Sequence, residues 1–355
     1  MTIGFLTAVR HVSPLTIIRR ERVLPAPGSV GVRVNQKVQA ADVIAETEVN
    51  RKRTFLDIAR ALGVPERQVE KHLARPLGEP IEAGEVIAGP AGLARRTVRA
   101  PSNGRLVAIS GGKVLFEAGG EPVALRAGFD STVVTTDGVQ LVTLETTGAL
   151  VEAGWGNGKQ DFGVMRQVGR GPGDRLQTDH LDVNLRGAVL LGGMCDNPAP
   201  LHQASELSAR GLILGSMTSD LIPAAMRLTY PVVLIEGFGR TPMNSAAYTL
   251  LQANVGREVS VDGRMGDAYE GQRPEIIISL PASRQASLPE DMVPLKAGVR
   301  VRVLRAPHLG AVGVVRQILP RAVALPSGIL ARCANVDLEG IGQATVPQAN
   351  LEVLQ

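Results

Sequence analysis

Leu295-Lys296-Ala297-Gly298-Val299-Arg300-Val301-Arg302-Val303-Leu304-Arg305-Ala306-Pro307-His308-Leu309-Gly310-Ala311-Val312-Gly313-Val314-Val315 is the stretch from which the fold class is read. Valine stands at 299, 301 and 303 and arginine at 300 and 302. That is the two-residue period of a half-buried strand, with the valines toward a core and Arg300, Arg302 and Arg305 expected toward solvent. Gly310 and Gly313 allow the chain to bend back as a hairpin. Residues 343–347 and 350–354 repeat the short apolar pattern and are expected to close a small barrel.

Composition extends this reading to the whole chain. With 40 Gly, 23 Pro and 3% aromatic residues, many short strands joined by tight turns are favoured over helical bundles. A length of 355 residues calls for two to four compact units, and 44% hydrophobic against 20% charged residues is enough to give each a core. Two cysteines, Cys195 and Cys333, make neither a disulfide framework nor a four-thiolate zinc site, so a reducing, cytoplasmic setting is expected. No apolar stretch is long enough for a membrane helix. Arg10 and His11 interrupt the first twenty residues, which read as an opening strand and not as a signal peptide. A net charge of +4 is small, so any nucleic-acid footprint must come from local clustering. The scarcity of aromatics counts against a single-strand binder built on base stacking.

The first 125 residues contain an echo. Lys37-Val38-Gln39-Ala40-Ala41-Asp42-Val43-Ile44-Ala45 aligns with Pro80-Ile81-Glu82-Ala83-Gly84-Glu85-Val86-Ile87-Ala88, each a strand, a tight turn and a second strand ending Val-Ile-Ala. Residues 98–107, with Ala100-Pro101-Ser102-Asn103-Gly104, follow the second copy as a further strand–turn–strand. This layout resembles the barrel-sandwich hybrid of biotinyl and lipoyl carriers, fusion adaptors and parts of RNA polymerase. The turn Ser102-Asn103-Gly104 lacks the Lys that carriers modify, so no covalent cofactor is carried over. Between the copies, Phe55, Ile58, Ala59, Leu62, Val69 and Leu73 fall at helical spacing, broken at Gly63-Val64-Pro65. The insert 54–74 resembles a helix-turn-helix of the LuxR or sigma type. Glu66 and Glu70 would face phosphate, so the alternative is a helical hairpin that only packs.

Residues 126–185 read as a β-rich segment and 186–263 as a small parallel α/β domain. Its strands are expected at 187–193, 211–215, 231–235 and 258–261, with helices at 199–209, 220–227 and 242–253. The carboxyl ends of such strands are where ligands bind, which singles out Gly192, Gly193, Cys195, Asp196, Ser216, Ser219, Glu236 and Arg240 as a possible ligand edge. Ser219 and Thr241-Pro242 read as helix N-caps. No G-x-G-x-x-G or Walker sequence is present. Cys195 beside Asp196, with His202 nearby in sequence, could be a nucleophile arrangement or a packed thiol. Asp179, His180 and Asp182 could hold a metal, but adjacent residues on a strand point apart. No catalytic residue, metal or cofactor is assigned. Residues 264–294 read as a linker with one strand.

The stretch at 295–315 resembles a KOW motif, as in NusG-type transcription factors and several ribosomal proteins. That resemblance implies an SH3-like barrel over 295–355 with a basic face of Lys296, Arg300, Arg302, Arg305, His308 and Arg316 turned to RNA, ribosome or polymerase. The expectation is a multidomain, mainly β protein with an α/β unit: a barrel-sandwich hybrid over 1–125, a parallel α/β layer and a C-terminal SH3-like barrel. Its expected role is a non-enzymatic adaptor that binds nucleic acid or a nucleoprotein machine. The alternatives are a homo-oligomeric assembly scaffold and a small-ligand binder or enzyme that uses the strand-end loops.

Overall fold

The computed structural model describes residues 6–92, 95–265, 272–281, 286–290 and 292–355. Residues 1–5 of the opening segment, and 266–271, 282–285 and 291 of the expected linker, lie outside the described residues. The protein is multidomain and mainly β, with 46% strand against 14% helix, in several sheets that include a curled half-barrel. Among the described residues no helix is long and apolar enough to cross a membrane.

The echo is a duplicated turn. In the first copy Asp42 accepts through its side chain from the Gln39 N–H (2.8 Å) and donates its own N–H to the Gln39 carbonyl (3.0 Å). In the second, Glu85 makes the same two bonds with Glu82, both at 3.1 Å. Each turn is then pinned by a polar side chain further on. The Ala40 N–H donates to Asp130 Oδ1 (3.0 Å), and the Ala83 N–H to Asn103 Oδ1 (2.8 Å). An Asx-type bond of this kind satisfies backbone groups that a tight turn leaves without a ladder partner.

The two copies are nested. Strand Val43–Val49 pairs antiparallel with Glu121–Arg126 and, on its other side, with Ser29–Val30, so the chain from 50 to 120 leaves and returns at the end of a small three-stranded stem. Beyond the stem a second module closes on itself. Its sheet runs in the order Arg53–Asp57, Lys113–Ala118, Gly104–Ser110, Pro80–Ile81, beside the hairpin Val86–Ala91/Arg96–Arg99. Ile58, Leu62, Val69, Ile81, Ile87, Leu106, Val114 and Phe116 form its core.

The helical insert is smaller than its periodicity suggests. Residues 53–57 are strand, the α-helix is Ile58–Leu62, and Glu66–His72 is a 3-10 segment. Asp57 caps the helix by accepting from the Arg60 N–H, and Gly63 ends it at φ +71°. Pro65, which a continuing helix would not accept, stands at the start of the 3-10 segment, and Val69 within that segment is fully buried in the module's core. The second element of the insert is thus a seven-residue 3-10 segment and not the α-helix that the helix-turn-helix resemblance implies.

A twelve-stranded sheet forms the centre. Val12–Val23 pairs along Leu141–Glu152, followed by Glu275–Ser279, Glu258–Asp262 and Gln160–Gln167. From there Val189–Leu191, Gly211–Met217 and Val232–Phe238 continue in parallel. The strand expected inside a linker, Glu275–Ser279, is therefore paired on both sides and buried. Strand Glu258–Asp262 is antiparallel, which makes the sheet mixed. Helix Ser245–Gln252 lies on one face with Val189, Leu191, Ile213 and Val233, and helices Pro198–Glu206 and Ile222–Arg227 on the other with Leu190, Leu212, Leu214 and Val232. Burial of both faces explains why these strands are apolar without alternation.

The C-terminal sheet orders Met292–Pro294, Leu6–Arg10, Leu351–Leu354, Arg300–Val303, Val312–Ile318, Cys333–Leu338 and Gly342–Pro347. The opening strand belongs here, parallel to Leu351–Leu354, and not to the N-terminal unit. Val301, Val303, Val315, Val336, Val346 and Val353 fill the core of this sheet with Val9.

Candidate nucleic-acid interface

The valine–arginine alternation at 299–303 places Val301 and Val303 in the core as expected, yet Arg302 on the opposite face is only 3% exposed. That face of the strand is covered by the central sheet. Arg302 pairs with Glu236 at the end of strand Val232–Phe238 and with Glu352 (3.3 Å) on the neighbouring strand. Glu352 also meets Arg10 (2.9 Å) and Arg273 (2.7 Å). Burial pushes the Glu352 carboxyl up, but Arg10, Arg273 and Arg302 outweigh it and hold the group below the usual carboxylate range. Glu236 Oε1 accepts from the backbone (3.0 Å) and side-chain (2.8 Å) N–H groups of Asn244, whose own carbonyl caps helix Ser245–Gln252 by accepting from the Ala247 N–H. This buried chain of charges fastens the C-terminal sheet to the central one.

Of the other residues expected on a basic face, Arg300 pairs with Glu339 (2.7 Å) and Arg316 with Asp337 (2.6 Å). Lys296 and Arg305 are exposed and His308 is half-buried. The six are therefore not one cationic surface. One is internal, and two are each matched one-to-one by a carboxylate.

The ligand edge of the α/β unit is likewise divided. A Cβ at Gly193 would stand 2.3 Å from the Asp174 carbonyl, and one at Gly215 2.5 Å from the Met243 N, so the chain's own backbone closes over these strand ends. Gly192 donates its N–H to the Ile213 carbonyl (2.9 Å). Ser216 and Cys195 are buried. The Cys195 thiol donates to the Asn197 carbonyl (3.2 Å), and burial pushes it up to about 11, which leaves little thiolate near neutrality. His202 is exposed on the following helix. Asp196 bridges Arg175 (3.4 Å) and Arg240 (3.6 Å), Ser219 is exposed, and Glu236 is committed to Arg302. The expected caps at Ser219 and Thr241-Pro242 are instead Asn244 for the third helix, and Thr218, without a side-chain bond, for the 3-10 turn. A cavity of about 520 Å³ between the first two helices, lined by His202, Asp220, Leu221 and Arg227 among others, includes none of the eight residues. Among the described residues no group of three or more His, Cys, Asp or Glu side chains is placed to hold a metal, Asp179, His180 and Asp182 included.

The sequence reading missed the nested module. Residues 51–118 contain twelve Lys and Arg against seven Asp and Glu, a net of +5 on a chain whose total is +4. Residues 119–294 carry thirteen against twenty, a net of −7. On the outer face of the module's sheet, Arg53, Glu117 and Arg105 lie side by side on three adjacent strands. Arg53 (2.8 Å), Arg105 (2.7 Å) and Arg51 (3.5 Å) all reach the Glu117 carboxylate. Bonds from Arg53 first, then Arg105, hold its pKa down. The next row is Phe55, Leu115 and Ala108, and the third is Asp57, Lys113 and Ser110. Phe55 is 70% exposed. The signal was legible as a charge tally, but Phe55 fits the helical spacing that begins beside it and was absorbed into that pattern.

No protein-family model matches the chain, and no curated protein matches it.

Proposed function

We propose that this protein is an adaptor that binds nucleic acid, or a nucleoprotein machine, through the cationic module at 51–118. The carrying observation is where the charge lies: a module joined through a small three-stranded stem has a net of +5, while residues 119–294 have a net of −7. A polyanion is attracted to the first and repelled from the second, which also fixes the direction from which it approaches. Lys296, Arg305 and His308 of the C-terminal KOW-like sheet are a second, weaker contact. A cytoplasmic setting, and the resemblance of 295–315 to a KOW motif, are part of this proposal.

The test is a fluorescence-anisotropy titration of the full chain with duplex DNA, single-stranded RNA and structured RNA at two salt concentrations. Contact with about three phosphates of a single strand gives about a twentyfold loss of affinity over a fourfold rise in salt. Salt-independent binding, or none to any of the three, overturns the proposal. A variant with Arg51, Arg53 and Arg105 changed to Gln should lose more affinity than one with Lys296 and Arg305 changed to Gln. The reverse order would return the contact to the C-terminal sheet.

A further inference from the structure

We infer that the outer face of the sheet formed by Arg53–Asp57, Lys113–Ala118 and Gly104–Ser110 is a docking platform for single-stranded nucleic acid, with Phe55 as the surface on which one base stacks. This inference rests on the nucleic-acid reading above and names the strand type and the contact.

Three observations converge. The first is the exposure of Phe55 itself. Phe55 is 70% exposed on a regular strand, which leaves an aromatic face open to a ligand. Leu56, on the other face of the strand, is partly buried against the module's core, and Phe55 is turned away from it. The second is the charge on either side. Two residues along a strand span about 7 Å, so Phe55 has the Arg53/Arg105 row at that distance on one side and Lys113 on the other. Arg51, Arg53, Arg105 and Lys113 outnumber Glu117 and Asp57, and Asp57 is already occupied as a helix cap. An apolar platform between cations matches a base with phosphates before and after it. The third is accessibility. Arg53–Asp57 is the outermost strand of its sheet, at the end of a stem, so an extended strand can reach it.

Duplex nucleic acid does not fit this face, because its bases are stacked on each other and cannot reach Phe55. An acidic peptide would satisfy the arginines but has no planar π-face for the ring. The low aromatic content of the chain does not count against a single platform; it limits the site to about one stacked base, with affinity supplied mainly by the phosphates.

The Glu117 carboxylate sharpens the arrangement. It gathers Arg53 and Arg105 from two strands and Arg51 from the segment just before the first, with each arginine side chain still 40% or more exposed. The row is thereby ordered before any ligand arrives, which lowers the entropy lost on binding.

The experiment uses the full chain with a short single-stranded oligonucleotide that carries 2-aminopurine, compared with the same sequence as a duplex and with a poly-aspartate peptide of equal charge. Wild type should bind the single strand more tightly than the duplex and quench the 2-aminopurine emission. Phe55→Ala should weaken single-strand binding about tenfold and abolish the quenching, with duplex binding unchanged, while Phe55→Tyr retains both. The ring is exposed, so the circular dichroism of Phe55→Ala should match wild type. Arg53→Gln and Arg105→Gln should each lower the salt slope by about one contact. Binding that persists with no sensitivity to Phe55 overturns this inference and leaves the nucleic-acid reading standing. Stronger binding of the peptide than of the oligonucleotide, or no binding of any oligonucleotide, overturns both.

Discussion

Arg302→Met tests whether the buried charge chain fastens the two large sheets. The substitution keeps much of the side-chain volume and removes the guanidinium. Glu352 still has Arg10 and Arg273, so the loss falls on Glu236, whose Oε2 is paired with Arg302 and whose side chain is about 1% exposed. Removing one partner of a buried pair leaves an uncompensated charge and costs about 3–5 kcal/mol. For a unit of this size about 2–4 °C is lost per kcal/mol, so the melting midpoint should fall by roughly 10 °C. Trp155 is the natural probe. It is the sole Trp of the chain, pairs in the sheet with Leu234 and lies 5.2 Å from the Phe238 ring, two residues beyond Glu236. Its emission should follow the transition. Arg302→Met combined with Glu236→Gln removes both charges while keeping an acceptor for the two Asn244 N–H groups, and should recover most of the loss. Arg316→Ala, which breaks an exposed pair with Asp337, should cost under about 1 kcal/mol. Equal shifts for Arg302→Met and Arg316→Ala, or no recovery in the double variant, would refute the reasoning.

Three further outcomes follow from the same geometry. Burial pushes the Glu152 carboxyl up despite the N–H it accepts from His11 (3.0 Å), so the folded protein holds a proton that the unfolded chain has released; stability then falls as pH rises from the ordinary carboxylate range through the raised folded value, and Glu152→Gln should raise the melting midpoint near neutral pH while leaving it unchanged in acid. Gly193→Ala puts a methyl carbon 2.3 Å from the Asp174 carbonyl, where backbone must move, and should cost about 1–3 kcal/mol in urea unfolding, whereas Gly158→Ala meets no neighbour and pays only for its left-handed φ. Replacing 51–118 by a short Gly-Asn turn across the stem should leave a folded remainder with the Trp155 transition intact, because the strand pairings of that module are internal to it; a remainder that aggregates would count against the nesting.

Much of this architecture was legible because it is local. The alternation at 299–303 located a real strand and its core side, and the uninterrupted apolar runs at 189–191, 211–214 and 232–235 located strands covered on both faces. The echo was visible because its turns use the same bonds in both copies. What was not legible depends on partners distant in sequence. A period of two gives the face on which Arg302 sits, but whether water or another sheet covers that face depends on Glu236 and Arg10. A glycine-rich loop after a strand fits a ligand site and a close backbone crossing equally well, and only the position of Asp174 and Met243 decides for the crossing at Gly193 and Gly215. Phe55 satisfied two periodicities at once, and the longer one prevailed until the backbone placed it on a strand.

The placement of Leu6–Arg10 between Met292–Pro294 and Leu351–Leu354 has a consequence for how the chain is made. At 5–20 residues per second, roughly 20–70 s separate the emergence of the first strand of that sheet from the last, and throughout that interval Val9 and Arg10 lack their strand partners Val353 and Leu354. The module at 51–118 needs nothing that comes later and can complete its core as soon as residue 118 clears the ribosome. On a nascent chain the element proposed to hold nucleic acid is therefore finished early, while the sheet that joins Leu6–Arg10 to Leu351–Leu354 closes well after it.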